Sequence, residues 1–149
     1  MSETSCPDDP FHLQRYVAAQ QQNYDTALAE LRAGRKRSHW IWYVFPQLRG
    51  LGSSAMADRY GISGIEEARA YLAHPVLGPR LRECARVVAA IERGSAEEVF
   101  GWPDNLKVRS SMTLFSMATD DDAEFRAVLD RFYGGELDPV TVERLSAAR

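Results

Sequence analysis

Apolar residues recur along this chain at spacings of three and four, the period of one face of an α-helix, and nowhere alternate long enough to define a strand. Asp9 followed by Pro10 reads as an N-cap with the first helical residue. From there Phe11, Leu13, Val17 and Ala18, then Tyr24, Ala27, Leu28 and Leu31, carry an apolar side as far as Gly34. That pattern predicts two helices or one bent helix, preceded by a loose tail over residues 1–8, which lack periodicity. Between His39 and Pro46 the chain is continuously apolar or aromatic. Its period is ambiguous, but no other segment supplies a sheet partner, so a short buried helix is predicted, capped by Ser38 and stopped before Pro46. Residues 47–52 form a glycine-punctuated loop.

Helix signals then follow closely. Ser53 or Ser54 caps a segment ending at Tyr60 and Gly61, and Ser63 with Glu66 predicts a capping box ahead of Ala68, Tyr71 and Leu72. His74 and Pro75 break the chain. Leu77, Leu81, Cys84, Ala85, Val88 and Ile91 mark the most amphipathic helix, over 76–93, ending at Gly94. Ser95 and Glu98 repeat the capping box for a short helix over 96–100. Asp104 is the cap candidate of another running to Ala118, with a non-helical start through Arg109 as the alternative. Asp121 or Asp122 opens the next, through Phe125, Val128, Leu129 and Phe132 to Gly134 and Gly135, and Asp138 with Pro139 begins a last one carrying Val142 and Leu145. The expectation is an all-α single domain over 9–149, built from about eight or nine short helices.

Composition narrows the classes. With 149 residues, 45% of them apolar, the chain can build a core without disulfides or metal. Cys6 and Cys84 form no C-x-x-C pair, which suits a reducing, cytoplasmic compartment. No apolar run approaches the roughly 18 residues of a membrane span, so no membrane association is expected. Nucleic acid is disfavoured as a partner by the formal charge of −3, from 18 Lys and Arg against 21 Asp and Glu.

Two segments nevertheless carry candidate chemistry. The first is Arg32, Arg35, Lys36, Arg37, Ser38 and His39, immediately before Trp40 and Trp42: cations offset phosphate charge and indole faces stack on a base. Their bland alternative is a helix C-terminus complemented by cations and followed by core tryptophans. The second runs from Trp102 through Asp104, Lys107, Arg109, Ser110, Ser111 and Thr113. Hydroxyls, backbone N–H groups and two cations at a helix start make an anion site; the alternative is a capped helix with a solvated basic face. His12, His39 and His74 show no ligand spacing, so neither a metal nor a cofactor is expected. Cys84 lies on an apolar helix face, where a thiol is inert packing. No nucleophile elbow or phosphate-cradling glycine loop is present.

Several segments taken together resemble a known family. Ser38-His-Trp-Ile-Trp, Phe45-Pro-Gln, Gly50-Leu-Gly, Tyr60-Gly-Ile, His74-Pro-Val-Leu-Gly and Lys107 through Phe115 are similar to the uncharacterised domain of unknown function number eighteen hundred and ten, sometimes mislabelled calpastatin. The resemblance covers 9 to about 146 and implies a mainly helical bacterial protein of no established activity. Lys36, Ser38, His39, Gln47, Lys107, Arg109, Ser110 and Ser111 belong to its characteristic residues, and polar types at those positions suggest a pocket where the two basic segments meet.

A more remote likeness is to the YbiA-like, or NADAR, proteins, helical enzymes of ADP-ribose and related N-glycosides. It rests on the order of elements, with Gln14 to Gln20, Trp40 to Trp42, His74 to Arg82 and Gly94 to Asp104 in similar sequence. This chain departs from that pattern in having no carboxylate between Asp9 and Asp25. The likeness implies an N-glycosidase acting on an ADP-ribose-like ligand. In it, Asp104 orients water or stabilises an oxocarbenium ion, Lys36 and Arg109 hold phosphates, and Trp40 or Trp42 stacks on the base. The alternative is a non-catalytic protein- or RNA-interaction module using residues 32–39.

Overall fold

The computed structural model of the chain describes residues 9–147, so the expected tail over 1–8 lies outside the described residues. Within them the chain forms α1 (Gln14–Arg32), α2 (Ile41–Val44), α3 (Ala55–Arg59), α4 (Ile65–Ala73), α5 (Leu77–Ala89), α6 (Ala96–Phe100), α7 (Asp104–Ala118), α8 (Ala123–Tyr133) and α9 (Pro139–Ala147). The only extended pairing among the described residues is a single parallel bridge between Leu48 and Ile62. The fold is all-α, and none of its described helices is long and apolar enough to cross a membrane.

Helix α7 is the central strut. It packs on α4, α8, α6, α9 and α2, and every residue from Ser110 to Ser116 is buried. A helix buried on all sides normally lacks polar groups. Here three of the four hydroxyls are satisfied by the helix itself: Ser110 donates to the carbonyl of Leu106 at 3.1 Å, Thr113 to that of Arg109 at 2.8 Å and Ser116 to that of Thr113 at 2.9 Å, while Ser111 has no partner among the described residues. Small side chains thereby let neighbouring helices approach. The apolar face of α5 fills the other half of the core against α8, α1 and α4, and Cys84 on that face has its thiol pushed up to about 12 by burial.

Several local expectations change. The first helix is continuous and begins at Gln14, not at Pro10. The Asp9 carboxylate accepts the amides of Leu13 and Gln14 across an intervening turn, at 2.6 and 3.0 Å, and so caps the helix from a distance. Ser38 does not cap α2, which starts from Trp40. The predicted capping box of Ser63 with Glu66 is replaced by Ser63 with Glu67, whose carboxylate accepts both the amide and the hydroxyl of Ser63 at 2.8 Å. The fifth helix ends at Ala89, short of Gly94, and His74 serves its start: Nδ1 accepts the amides of Val76 and Leu77. Ser54 caps α3 and the capping box of Ser95 with Glu98 is reciprocal, as their sequence signals imply.

Candidate functional site

The two basic segments meet. Lys36 Nζ lies 2.8 Å from one carboxylate oxygen of Asp104, and Lys107 Nζ lies 3.4 Å from the other, so a single aspartate at the first turn of α7 bridges two lysines. Each ammonium also faces an indole. Lys36 sits 5.1 Å from the Trp40 ring centre and Lys107 sits 5.2 Å from that of Trp42. The reason is local geometry. The amide of Lys36 donates to the carbonyl of Val99 at 2.7 Å, which ties the 35–39 segment beside α6 and aims Lys36 at the start of α7.

Two other residues of the first segment, Ser38 and Trp40, turn inward. Glu30 on α1 accepts the amides of Arg37 and Ser38, the Ser38 hydroxyl at 2.6 Å and the Trp40 indole N–H at 2.9 Å. Burial alone would raise its carboxyl, but these bonds outweigh it and hold the group down at about 2. Ser38 and the buried Trp40 are therefore committed to Glu30. Lys36 has only 5% of its side chain exposed. Arg32 reaches Glu83 at 3.7 Å, whereas Arg35, Arg37 and His39 face solvent. The segment 32–39 is split between interior and surface and forms no continuous basic patch.

From the second segment, Arg109 points away from Lys107. Its guanidinium donates to the carbonyls of Glu136 and Leu137 and pairs with the Glu136 carboxylate, fastening the α8–α9 connection. Ser111 is fully buried, and its hydroxyl has no hydrogen-bond partner among the described residues.

Three of the expected site residues do line one groove. A cavity of about 490 Å³ runs between the loop 47–54, the start of α7 and α9, with Gln47, Lys107 and Ser110 in its wall. Sequence reasoning missed the rest: Ser53 and Ser54 from the loop, Asp138 at the start of α9, and Arg144 one turn before that helix ends. The loop reaches α9 through Gly50, whose φ of +94° favours glycine and whose Cβ, if present, would stand 2.7 Å from an Arg144 guanidinium nitrogen. Asp138 is occupied as a cap, accepting the amide and hydroxyl of Thr141 at 3.0 and 2.6 Å. Arg144 makes no ion pair among the described residues. The exposed large apolar side chains among the described residues gather at the same place: Leu106 and Val140 line the groove, and Trp102, 70% exposed, adjoins its wall at Pro103. Beneath it a small cavity is lined by Trp42, Gln47, Tyr60 and Lys107, and the Trp42 indole N–H is buried without a partner among the described residues. No group of three metal-ligating side chains occurs among the described residues.

A family model described as a protein of unknown function, DUF1810, matches residues 10–145. The chain belongs to DUF1810. Its fold is that of the conserved hypothetical protein Rv1873 from Mycobacterium tuberculosis, a crystal structure with 58% sequence identity that superposes with a TM-score of 0.91 over 93% of this chain and 99% of that one. No curated protein matches. The expected likeness to YbiA-like proteins is overturned: the family matched is DUF1810, and no comparison connects this DUF1810 chain with NADAR proteins. The order of short helices and a shared tryptophan segment is too generic in an all-α domain to establish a relationship.

Proposed function

We propose that the groove beside α7 binds a phosphorylated, nucleotide-like small molecule. The supporting observation is the coincidence in one cavity of two cations, Lys107 and Arg144, with hydroxyl and amide donors and with the exposed apolar side chains of Leu106 and Val140; the exposed Trp102 stands next in the chain to Pro103 of the wall. Phosphate oxygens suit the cations and hydroxyls, and an aromatic ring suits the exposed indole. Asp104 acts here as a positioning residue. Clamped by two ammonium groups, its carboxylate holds Lys107 over Trp42 at the groove wall and is in no position to activate water freely. Binding, rather than N-glycoside hydrolysis, is the reading this geometry favours.

The test is a thermal-shift screen of the protein against NAD, ADP-ribose, mononucleotides and inorganic phosphate, because a ligand at 100 times its dissociation constant stabilises by about 2.7 kcal/mol. A shift with a phosphorylated aromatic compound is expected, and it should vanish when Lys107→Gln and Arg144→Gln are combined. Silence across the panel, or a shift undiminished in that double variant, overturns the reading.

A further inference from the structure

Away from the groove, cations converge a second time. A cavity of about 460 Å³ is lined by Phe11, His12, Arg15, Arg49, Asp58 and Arg59, and an adjoining one shares His12, Arg15 and Arg59. Its walls come from distant parts of the sequence and are locked together by Arg15. That guanidinium donates to the carbonyls of Phe11 and His12 on one side and of Arg59 and Gly61 on the other, and it pairs with the buried Glu67 at 3.0 Å. Its charge is thus cancelled and its donors are used, which makes it a bracket rather than a ligand group. The bracketed turn holds His12 at a φ of +53°, a left-handed conformation that few residues other than glycine adopt and that persists only when the surroundings impose it.

The third wall is fixed as firmly. The amide of Arg49 donates to the carbonyl of Ile62 at 2.8 Å and that of Ile62 to Gln47 at 2.9 Å. These bonds lay 47–49 along 60–62 so closely that a Cβ at Gly61 would stand 2.7 Å from the Cα of Arg49. Arg49 and Arg59 are thereby held around one cavity although their charges repel. Asp58 offers a single carboxylate, and neither arginine forms an ion pair among the described residues. Arg59 stacks on Tyr60, 5.4 Å from the ring centre, and its side chain donates no hydrogen bond among the described residues.

We propose that His12, Arg49 and Arg59 form an anion site separate from the groove, which takes the phosphate group of a small phosphorylated molecule. Two guanidinium groups suit phosphate oxygens, Arg49 with one nitrogen already donating to the Gly61 carbonyl at 3.2 Å and the rest of its fork available; the imidazole adds a donor, and the fixed backbone walls lower the ordering cost of binding. The test follows the arginine side-chain N–H and histidine ring signals by NMR while inorganic pyrophosphate is added to the whole protein. Saturable shifts at Arg49, Arg59 and His12 are expected. Arg59→Gln, which removes a charge-assisted bond, should weaken that binding by about tenfold, or about 1.4 kcal/mol. Lys107→Gln, at a residue that lines the groove but not this cavity, should leave it unchanged, which separates this site from the groove. Because the exposed Arg59 side chain forms no ion pair and donates no hydrogen bond among the described residues, and loses only its stacking on Tyr60, that variant should remain folded, and circular dichroism checks it. Affinity unchanged in Arg59→Gln, or shifts that grow without saturating, overturns the proposal.

Discussion

The Glu30 cluster and the groove around Lys107 lie along the same aromatic segment, and both gather charged and polar side chains of kinds that suggest binding. In the first, the donors of Ser38, Trp40 and the nearby backbone end on one carboxylate. In the second, Arg144 makes no ion pair among the described residues, and Lys107 is held only loosely, at 3.4 Å, by an aspartate it shares. The difference teaches that polar residue type does not identify a site. What identifies one is polar capacity left over after the fold has satisfied itself.

Arg15→Met should break the comparison most severely, because it strands Glu67, 2% exposed, as a buried charge. A loss of about 3–5 kcal/mol is expected in chemical denaturation, and a loss below 1 kcal/mol would mean that water reaches Glu67. Glu30→Gln comes next, at about 2 kcal/mol, through donors left facing an amide. It carries a pH signature. A carboxyl held down at about 2, against an ordinary value of 4.5, contributes stability that is present above 4.5 and lost as pH falls toward 2. The gap between parent and Glu30→Gln should therefore narrow on acidification through that window, and a gap independent of pH would show that the carboxylate is not the stabilising species. Ser111→Ala should have the opposite sign, stabilising by about 1 kcal/mol because it removes a buried hydroxyl with no partner; destabilisation would reveal a partner, most simply a bound water. Trp102→Ala should change stability by less than about 0.5 kcal/mol while weakening any aromatic ligand of the groove, so a large stability loss would place its indole in the packing instead.

The fold was largely legible because helix periodicity and capping are local. The reciprocal box at Ser95 and Glu98 and the Gly34 and Gly134 ends follow from residues within a few positions of one another, whereas Asp104 does not cap α7 but is its first residue, after Pro103. The candidate site was legible only where chemistry and place coincide, as at Gln47, Lys107 and Ser110. Ser38, Trp40 and Arg109 carry the same chemical signals, yet Glu30 and the α8–α9 connection claim them, and no spacing rule reveals a partner many residues away. Arg144 and the trio of His12, Arg49 and Arg59 escaped notice for the converse reason. Each is an ordinary solitary polar side chain until tertiary packing brings it to a cavity.

The groove also has a place in the order of synthesis. Its loop wall, residues 47–54, and its floor on α7 leave the ribosome before α9, which brings Asp138, Val140 and Arg144. A nascent chain can bury α7 against α4 and α8 without owning a complete pocket. Under the proposed function, the groove can be complete only once α9 has been made and docked.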